Sequence, residues 1–291
     1  MTGEIVADRT GTAAATMTVA TPEGVPPVIA ASGLAFRFGD DSAAPLFSGI
    51  SLAVKPREIV CLVGGSGCGK STLLRTLAGL QAATRGSITF LGRPLMAPHP
   101  RAAMVFQQPS LLPWLSVAGN VGFGLDFRHQ PQLKKSLAAA RIQQAIDAVG
   151  LQGKEALYPA QLSGGMAQRV ALARALAREP EVLFADEPFS ALDAITRAEM
   201  QDLLVKLVHR WHSAVVLVTH DIDEAIAIAD RILLMGGKPA HIVRQWQVPR
   251  AGDVEPDAYA PEIGLLRQDI LRALHALLAT SSTHTSTEAT P

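Results

Sequence analysis

The chain has no excess charge of either sign: among its 291 residues, 26 Lys and Arg stand against 26 Asp and Glu. With a pI near 7.1, this excludes the broadly basic footprint of a protein that lives on nucleic acid or anionic lipid; such binding would need a local patch. Cysteine is scarce too. Cys61 and Cys68 cannot build a disulfide scaffold in so long a chain, and no secretory context precedes them, so a reduced, cytosolic compartment is expected. Uninterrupted apolar runs are also lacking. The longest uncharged stretch, Ala102 to Leu125, is broken by Gln107, Gln108, Pro109, Pro113, Asn120 and three glycines, whereas a membrane-spanning helix needs about 20 mostly apolar residues. The N-terminus has no basic segment leading into an apolar block, so no signal peptide is expected. Residues 1–27, rich in Ala, Thr, Gly and Pro, read as a disordered tail.

What remains is one globular domain with a small appendage. Short alternating segments at Leu34 to Phe38, Ile50 to Val54 and Ser87 to Leu91 predict antiparallel strands. Glu58 to Val63 is a continuous apolar run that suits a strand buried on both faces, and it leads directly into GGSGCGKST. A helix follows, with Leu73, Leu74, Leu77 and Leu80 on one face and Gly79 near its end. Beyond Phe106 a mainly helical insertion is expected, in which Leu133, Leu137, Ile142, Ile146 and Val149 recur at helical spacing. The α/β alternation then resumes with the strand Val182 to Ala185, a helix carrying Leu192, Ile195, Leu203, Leu207 and Trp211, and the strand Ala214 to Thr219. This order predicts a parallel sheet with helices on its faces. A final stripe of Ile263, Leu266, Ile270, Leu274 and Leu277 marks a helix that packs on the core or helps two chains associate, followed by a frayed tail.

Three motifs carry chemistry. The first is Gly64-x4-Gly69-Lys70-Ser71 between strand and helix. Glycines at this spacing let successive backbone N–H groups turn toward phosphates, the helix adds its positive end, Lys70 reaches the β- and γ-phosphates, and Ser71 offers oxygen to Mg²⁺. The second is Asp186-Glu187 at the end of an apolar strand. Two adjacent acids repel unless a cation is near, which predicts Asp186 as a partner of Mg²⁺ or its water and Glu187 as the base for a water attacking the γ-phosphate. The third is Ser163-Gly164-Gly165 before a helix, a second anion nest that is also an ordinary N-capped turn when read by itself. One ATP cannot occupy two distant phosphate sites of one chain.

Together these motifs, with FQQP, SALD and VTHD in the same order, resemble the nucleotide-binding domain of ATP-binding cassette (ABC) proteins over about Val28 to Val243. The resemblance implies an α/β P-loop NTPase core, an antiparallel β subdomain and an inserted helical subdomain at about 107–179, within a domain over 28–245 and before a helical extension over 246–291. It implies that Gly64, Gly65, Ser66, Gly67, Cys68, Gly69, Lys70, Ser71 and Thr72 cradle ATP and that Ser71, Gln107 and Asp186 attend Mg²⁺. Glu187, His220 and Gln107 are the implied catalytic set, and Phe38 stacks on adenine, with Phe36 as the alternative. Ser163, Gly164 and Gly165 would close over ATP held by a second copy of the chain, and Asp193 is a further implied nucleotide-binding residue. Cys61 reads as core; Cys68, at a helix N-terminus, sits where a thiolate is favoured.

Three departures stand out: Met166 where many relatives carry Gln, Arg57 in place of a common Gly, and Phe38 without a tyrosine hydroxyl. None removes a phosphate, metal or base ligand, so a working ATPase is expected. VFQQPSLLPWLSVAGNVGFGL and LSGGMAQRVALARAL resemble the nitrate, sulfonate and taurine importer branch. The apolar knuckle Leu111-Leu112-Pro113-Trp114 suits docking to an integral membrane permease, which would in turn receive solute from an extracytoplasmic solute-binding protein. An exporter ATPase, or an ABC protein of DNA repair or translation, is the competing reading. The absence of coiled-coil arms, zinc modules, a tandem cassette and basic charge weighs against nucleic acid as a partner.

Overall fold

The computed structural model describes residues 25–39, 42–250 and 256–283. Of the tails expected at 1–27 and from Ser281 onward, residues 1–24 and 284–291 lie outside the described residues; the final helix itself continues to Thr283. In chain order the strands are β1 (Ile29–Phe36), β2 (Phe47–Val54), β3 (Ile59–Gly64), β4 (Arg85–Phe90), β5 (Arg93–Pro94), β6 (Ala102–Val105), β7 (Val182–Asp186), β8 (Ala214–Val218), β9 (Arg231–Gly236) and β10 (His241–Gln247). The α-helices are α1 (Lys70–Leu77), α2 (Val117–Gly122), α3 (Lys135–Ala148), α4 (Gly164–Leu176), α5 (Ala194–Trp211), α6 (Ile222–Ile228) and α7 (Pro256–Thr283).

Two sheets form. One is antiparallel with the order β2-β1-β4-β5; the other runs β10-β9-β3-β8-β7-β6, parallel except for the antiparallel β9–β10 pair. The apolar runs of β7, β8 and β9 are buried at every position, as sequences without alternation require when both faces are covered. Period-two geometry then divides each run between two cores. Cys61, Val63, Leu183, Ala185 and Leu217 face the core shared with α4, α5 and α7, while Val60, Leu62, Phe184, Val216 and Val218 face α1 and the antiparallel sheet. This is the α/β P-loop NTPase architecture expected from the sequence. Among the described residues no helix is long and apolar enough to cross a membrane.

Some expectations shift. Leu80 lies beyond α1 and is largely exposed, because the helix closes at Ala78–Gly79 with Leu80 N–H donating to Arg75 O at 2.9 Å and Gly79 N–H to Thr76 O at 3.0 Å. That is the Schellman arrangement, which ends a helix by satisfying its last carbonyls. Leu192 precedes α5, which begins only after Asp193 caps it. Leu133 likewise precedes α3. Phe38 lies past the end of β1. The β9–β10 hairpin has no counterpart in the sequence reading, and Gln245, the expected end of the domain, lies inside β10.

The last helix packs on the core. Ile263, Leu266, Leu274 and Leu277 line the face it presents, with Ile270 wholly buried at the centre. Arg267 donates to Asp223 at 2.6 Å, and Asp269 accepts from Trp246 Nε1 at 2.8 Å, fixing its rotation. Ile270→Ala should therefore lower stability by about 2–5 kcal/mol, the range for deleting a buried aliphatic side chain. Urea denaturation checks this, and an unchanged midpoint would show that the helix is not docked in solution.

Candidate functional site

The site assembles at the C-terminal ends of β3, β7 and β8. β3 delivers the chain into the glycine loop, where Gly64 has φ 152° and a Cβ there would stand 2.2 Å from Met235 O on β9. No side chain fits. Gly69, at φ 98°, caps α1 in the left-handed conformation, the region that glycine enters without cost. α1 then starts at Lys70, whose buried side chain turns back to donate to Gly64 O and Gly65 O, each at 2.9 Å. A buried ammonium held by two carbonyl oxygens, at the positive end of a helix, is arranged to receive an anion.

β7 ends in Asp186, which accepts from Ser71 Oγ at 2.7 Å and lies 3.7 Å from Arg75 Nη2. The following Glu187 has φ 46°, a strained conformation for a residue with a side chain, held by its N–H donating to Val218 O at 2.9 Å and by Ser190 Oγ donating to its carbonyl. Its carboxylate meets His220 Nδ1 at 3.2 Å. A cleft of about 620 Å³ gathers Phe38, Ser66, Gly67, Gly69, Lys70, Ser71, Thr72, Glu187 and His220. Leu46 is a further wall that the sequence did not single out.

The oxygen pair Ser71 Oγ and Asp186 Oδ1 fits Mg²⁺, a hard cation that takes one or two protein oxygens and completes its shell with water and phosphate. Gln107 stands in the exposed loop after β6. Of the other expected residues, Asp186 meets the cleft through Ser71, Gly65 and Cys68 line the adjoining cavity, Gly64 lies beneath the loop against Met235, and Gln107, Ser163, Gly164, Gly165 and Asp193 lie outside the lining. Ser163 caps α4, accepting from Met166 N–H at 3.3 Å. Asp193 caps α5, accepting from the N–H groups of Ile195 and Thr196 at 3.1 Å, and those bonds hold its carboxyl below the usual range. The two caps adjoin, because a Cβ on Gly165 would meet Thr196 Cγ2 at 2.6 Å.

The thiolate expected at Cys68 is corrected. Burial pushes this thiol up from its ordinary pKa, outweighing the lowering by Lys70, and Sγ donates to Met235 O at 3.6 Å. Cys61 is core, as expected. A second cavity, of about 910 Å³, adjoins the cleft across Phe38 and Ser66 and is bounded by Leu277 and Leu278 of α7.

Glu224 was not singled out, since an acid in the first turn of a helix is ordinary. Here it is buried, accepts from Thr219 Oγ1 at 3.0 Å, and leaves its other oxygen without a partner among the described residues. Thr219 Oγ1 also accepts from Asp221 N–H at 3.0 Å, so this pair frames the loop that carries His220.

These features define a P-loop nucleotide-binding site. The family model described as ABC transporter matches residues 47–190. The aliphatic sulfonates import ATP-binding protein SsuB 1 of Xanthomonas axonopodis pv. citri is 46% identical over 230 residues, covering 78% of this chain and 90% of the relative. The taurine import ATP-binding protein TauB of Chromobacterium violaceum is 44% identical over 243 residues, covering 80% and 91%. Among solved structures, cbiO1 from Clostridium perfringens, part of the ABC transporter complex cbiONQ, superposes with a TM-score of 0.70 at 26% identity, covering 84% of this chain and 99% of that one. An ATP-binding cassette solved as a dimer in a post-hydrolysis state with ADP and Pi gives 0.65 at 29% identity, covering 76% and 99%. The chain belongs to the ABC transporter family and is an ATP hydrolase of that type.

Desolvation raises the Glu224 pKa to about 7, against about 4.3 in an unfolded chain. Between these values the folded state keeps a proton that the unfolded state has lost, so stability falls as pH rises through that window and levels off above it. Glu224→Gln cannot ionise, and its stability relative to the parent should rise between pH 5 and pH 8. Urea midpoints at both pH values test this; an equal difference at both would refute it.

Proposed function

We propose that the chain is the energy-supplying subunit of an importer for a sulfonate, taurine, nitrate or a similar small anion, working as a nucleotide-sandwich dimer against a separate membrane permease. The observation that carries this reading is Trp114, which is 70% exposed on the loop that follows Gln107. An indole displayed in this way is costly on a free-standing enzyme and is a typical anchor for a partner. The names of the sulfonate and taurine relatives supply the substrate class. Selectivity would reside in the permease and in a solute-binding protein on the far side of the membrane. The chain would work at the cytoplasmic face.

The chemistry follows from the cleft. Phe38 stacks on adenine, the N–H groups of Gly65 to Thr72 surround the phosphates, and Lys70 exchanges two carbonyl partners for the β- and γ-phosphates. Ser71, Asp186 and Gln107 would hold Mg²⁺, which offsets phosphate charge when bound. Glu187 takes a proton from the attacking water, and His220, already against its carboxylate, contacts the γ-phosphate. Ser163, Gly164, Gly165 and Asp193 of the second copy complete the site, so ATP draws two copies together and hydrolysis parts them.

Glu187→Gln should bind ATP, associate and stall, with hydrolysis reduced by about a hundredfold or more. Lys70→Ala should fail to retain nucleotide. Hydrolysis assays and size-exclusion chromatography with Mg-ATP check both, and equal hydrolysis by Glu187→Gln and parent would remove Glu187 as the base. Capture of tagged Glu187→Gln from gently solubilised membranes with Mg-ATP should bring down a multi-span membrane protein in near-equal amount; recovery of soluble or nucleic-acid proteins alone would end the transport reading.

A further inference from the structure

The Trp114 loop hangs from one half-buried and two buried side chains that bond to its backbone. Ser110 reverses the chain at φ 47°, and there Arg174 of α4 donates from Nη2 to Pro109 O and from Nη1 to Ser110 O, each at 3.0 Å. Six residues earlier on the same helix, buried Gln168 donates to Phe106 O at 3.4 Å. On the far side of the tryptophan, Asn120 of α2 is wholly buried: its Oδ1 accepts from Leu112 N–H at 2.8 Å, and its Nδ2 lies 2.9 to 3.1 Å from the carbonyls of Leu112, Leu115 and Ser116. Trp114 itself stays in solvent between these two fixed ends.

Arg174 has a feature that packing alone does not require. It is partly buried, desolvation lowers its pKa, and among the described residues it forms no ion pair with a carboxylate. A guanidinium presents its donors as a planar fork in fixed geometry, and this one spans two successive carbonyls with separate nitrogens. α4 begins at Ser163–Gly164, about 15 Å along the helix axis from Arg174 at 1.5 Å per residue. One rigid helix thus holds the Ser-Gly-Gly nest at its start and grips the Trp114 loop near its end.

We infer that Arg174 is a positioning residue that joins the Trp114 loop to the Ser163–Gly165 helix, so that closure of the nest on a partner's nucleotide is passed to the docking surface. This rests on the sandwich-dimer and permease reading above. Arg174 touches neither nucleotide nor partner. Its removal should therefore separate two activities that a merely structural residue would lose together.

The test uses the full chain. In the Glu187→Gln background, hydrogen exchange is followed at residues 109–116 and 163–166 with and without Mg-ATP, with Arg, Met or Lys at position 174. With Arg174, ATP slows exchange in both segments. Arg174→Met should retain ATP-driven association and the slowing at 163–166 while losing the slowing at 109–116, and Arg174→Lys, which keeps charge and length, should restore part of it. In proteoliposomes holding the captured permease, Arg174→Met with Glu187 intact should keep hydrolysis by the free subunit within about twofold and lose about tenfold of the permease-stimulated rate. An ATP response at 109–116 unchanged by Arg174→Met, or a parallel fall of free and stimulated hydrolysis, would overturn the inference. Absence of ATP-driven association in the Arg174 chain would instead overturn the sandwich reading on which it rests.

Discussion

The parallel register of β3, β7 and β8 is the constraint on which the site depends. Cys61 pairs with Leu217, and Leu217 with Ala185, so three strands end side by side, and each delivers a loop to the same edge of the sheet. The first is the glycine loop that runs into α1, the second carries Asp186 and Glu187, and the third carries Thr219 and His220. Two backbone bonds continue the ladder into these loops: Glu187 N–H to Val218 O and Thr219 N–H to Leu62 O. A slip of one residue in β7 would exchange its two faces and carry Asp186 away from Ser71. Burial on both faces makes such a slip costly, since Phe184 and Leu183 lie in different cores.

On this base the site accepts several local costs. Glu187 sits in a left-handed conformation, Lys70 is buried against two carbonyls, and Glu224 is buried with one oxygen unmatched among the described residues. Each lies at the end of a fully buried strand or in the loop or helix that follows. Strain of this kind persists where the surroundings over-determine the geometry, and the two cores beneath supply that rigidity. The Glu224–Thr219 bond shows how far the support extends, because it shapes the His220 loop without lining the nucleotide cleft.

Much of this was legible in the residues. The glycine loop, the Asp186-Glu187 pair and the strands that bear them follow from patterns with direct physical meaning: glycine where no Cβ fits, apolar runs where both faces are covered. Helix ends were less legible, because Leu80 and Leu192 keep the apolar spacing of their helices while the caps at Gly79 and Asp193 exclude them. The β9–β10 hairpin was missed although Arg231–Gly236 is apolar and Gly237, Lys238 and Pro239 signal a turn. The docking of α7 could not be read, since a helical stripe shows that a face is buried but not by what. The supporting pairs Thr219–Glu224 and Arg174–Ser110 were also invisible, because an acid at a helix start and an arginine near a helix end have ordinary local explanations.

The contact between Gly165 and Thr196 changes how substitutions in the Ser-Gly-Gly nest should be interpreted. A methyl group on Gly165 would stand 2.6 Å from Thr196 Cγ2, and Thr196 is the residue whose N–H Asp193 caps. Threonine is stiff about its first side-chain bond, so the pressure would pass to the start of α5 instead of dissipating in a rotamer change. On the proposed reading, lost activity in a Gly165 variant would then report two injuries at once, a blocked Ser-Gly-Gly nest and a displaced Asp193. Pairing that variant with Thr196→Ser, which removes the offending methyl and keeps the hydroxyl, separates the steric debt from the chemical one.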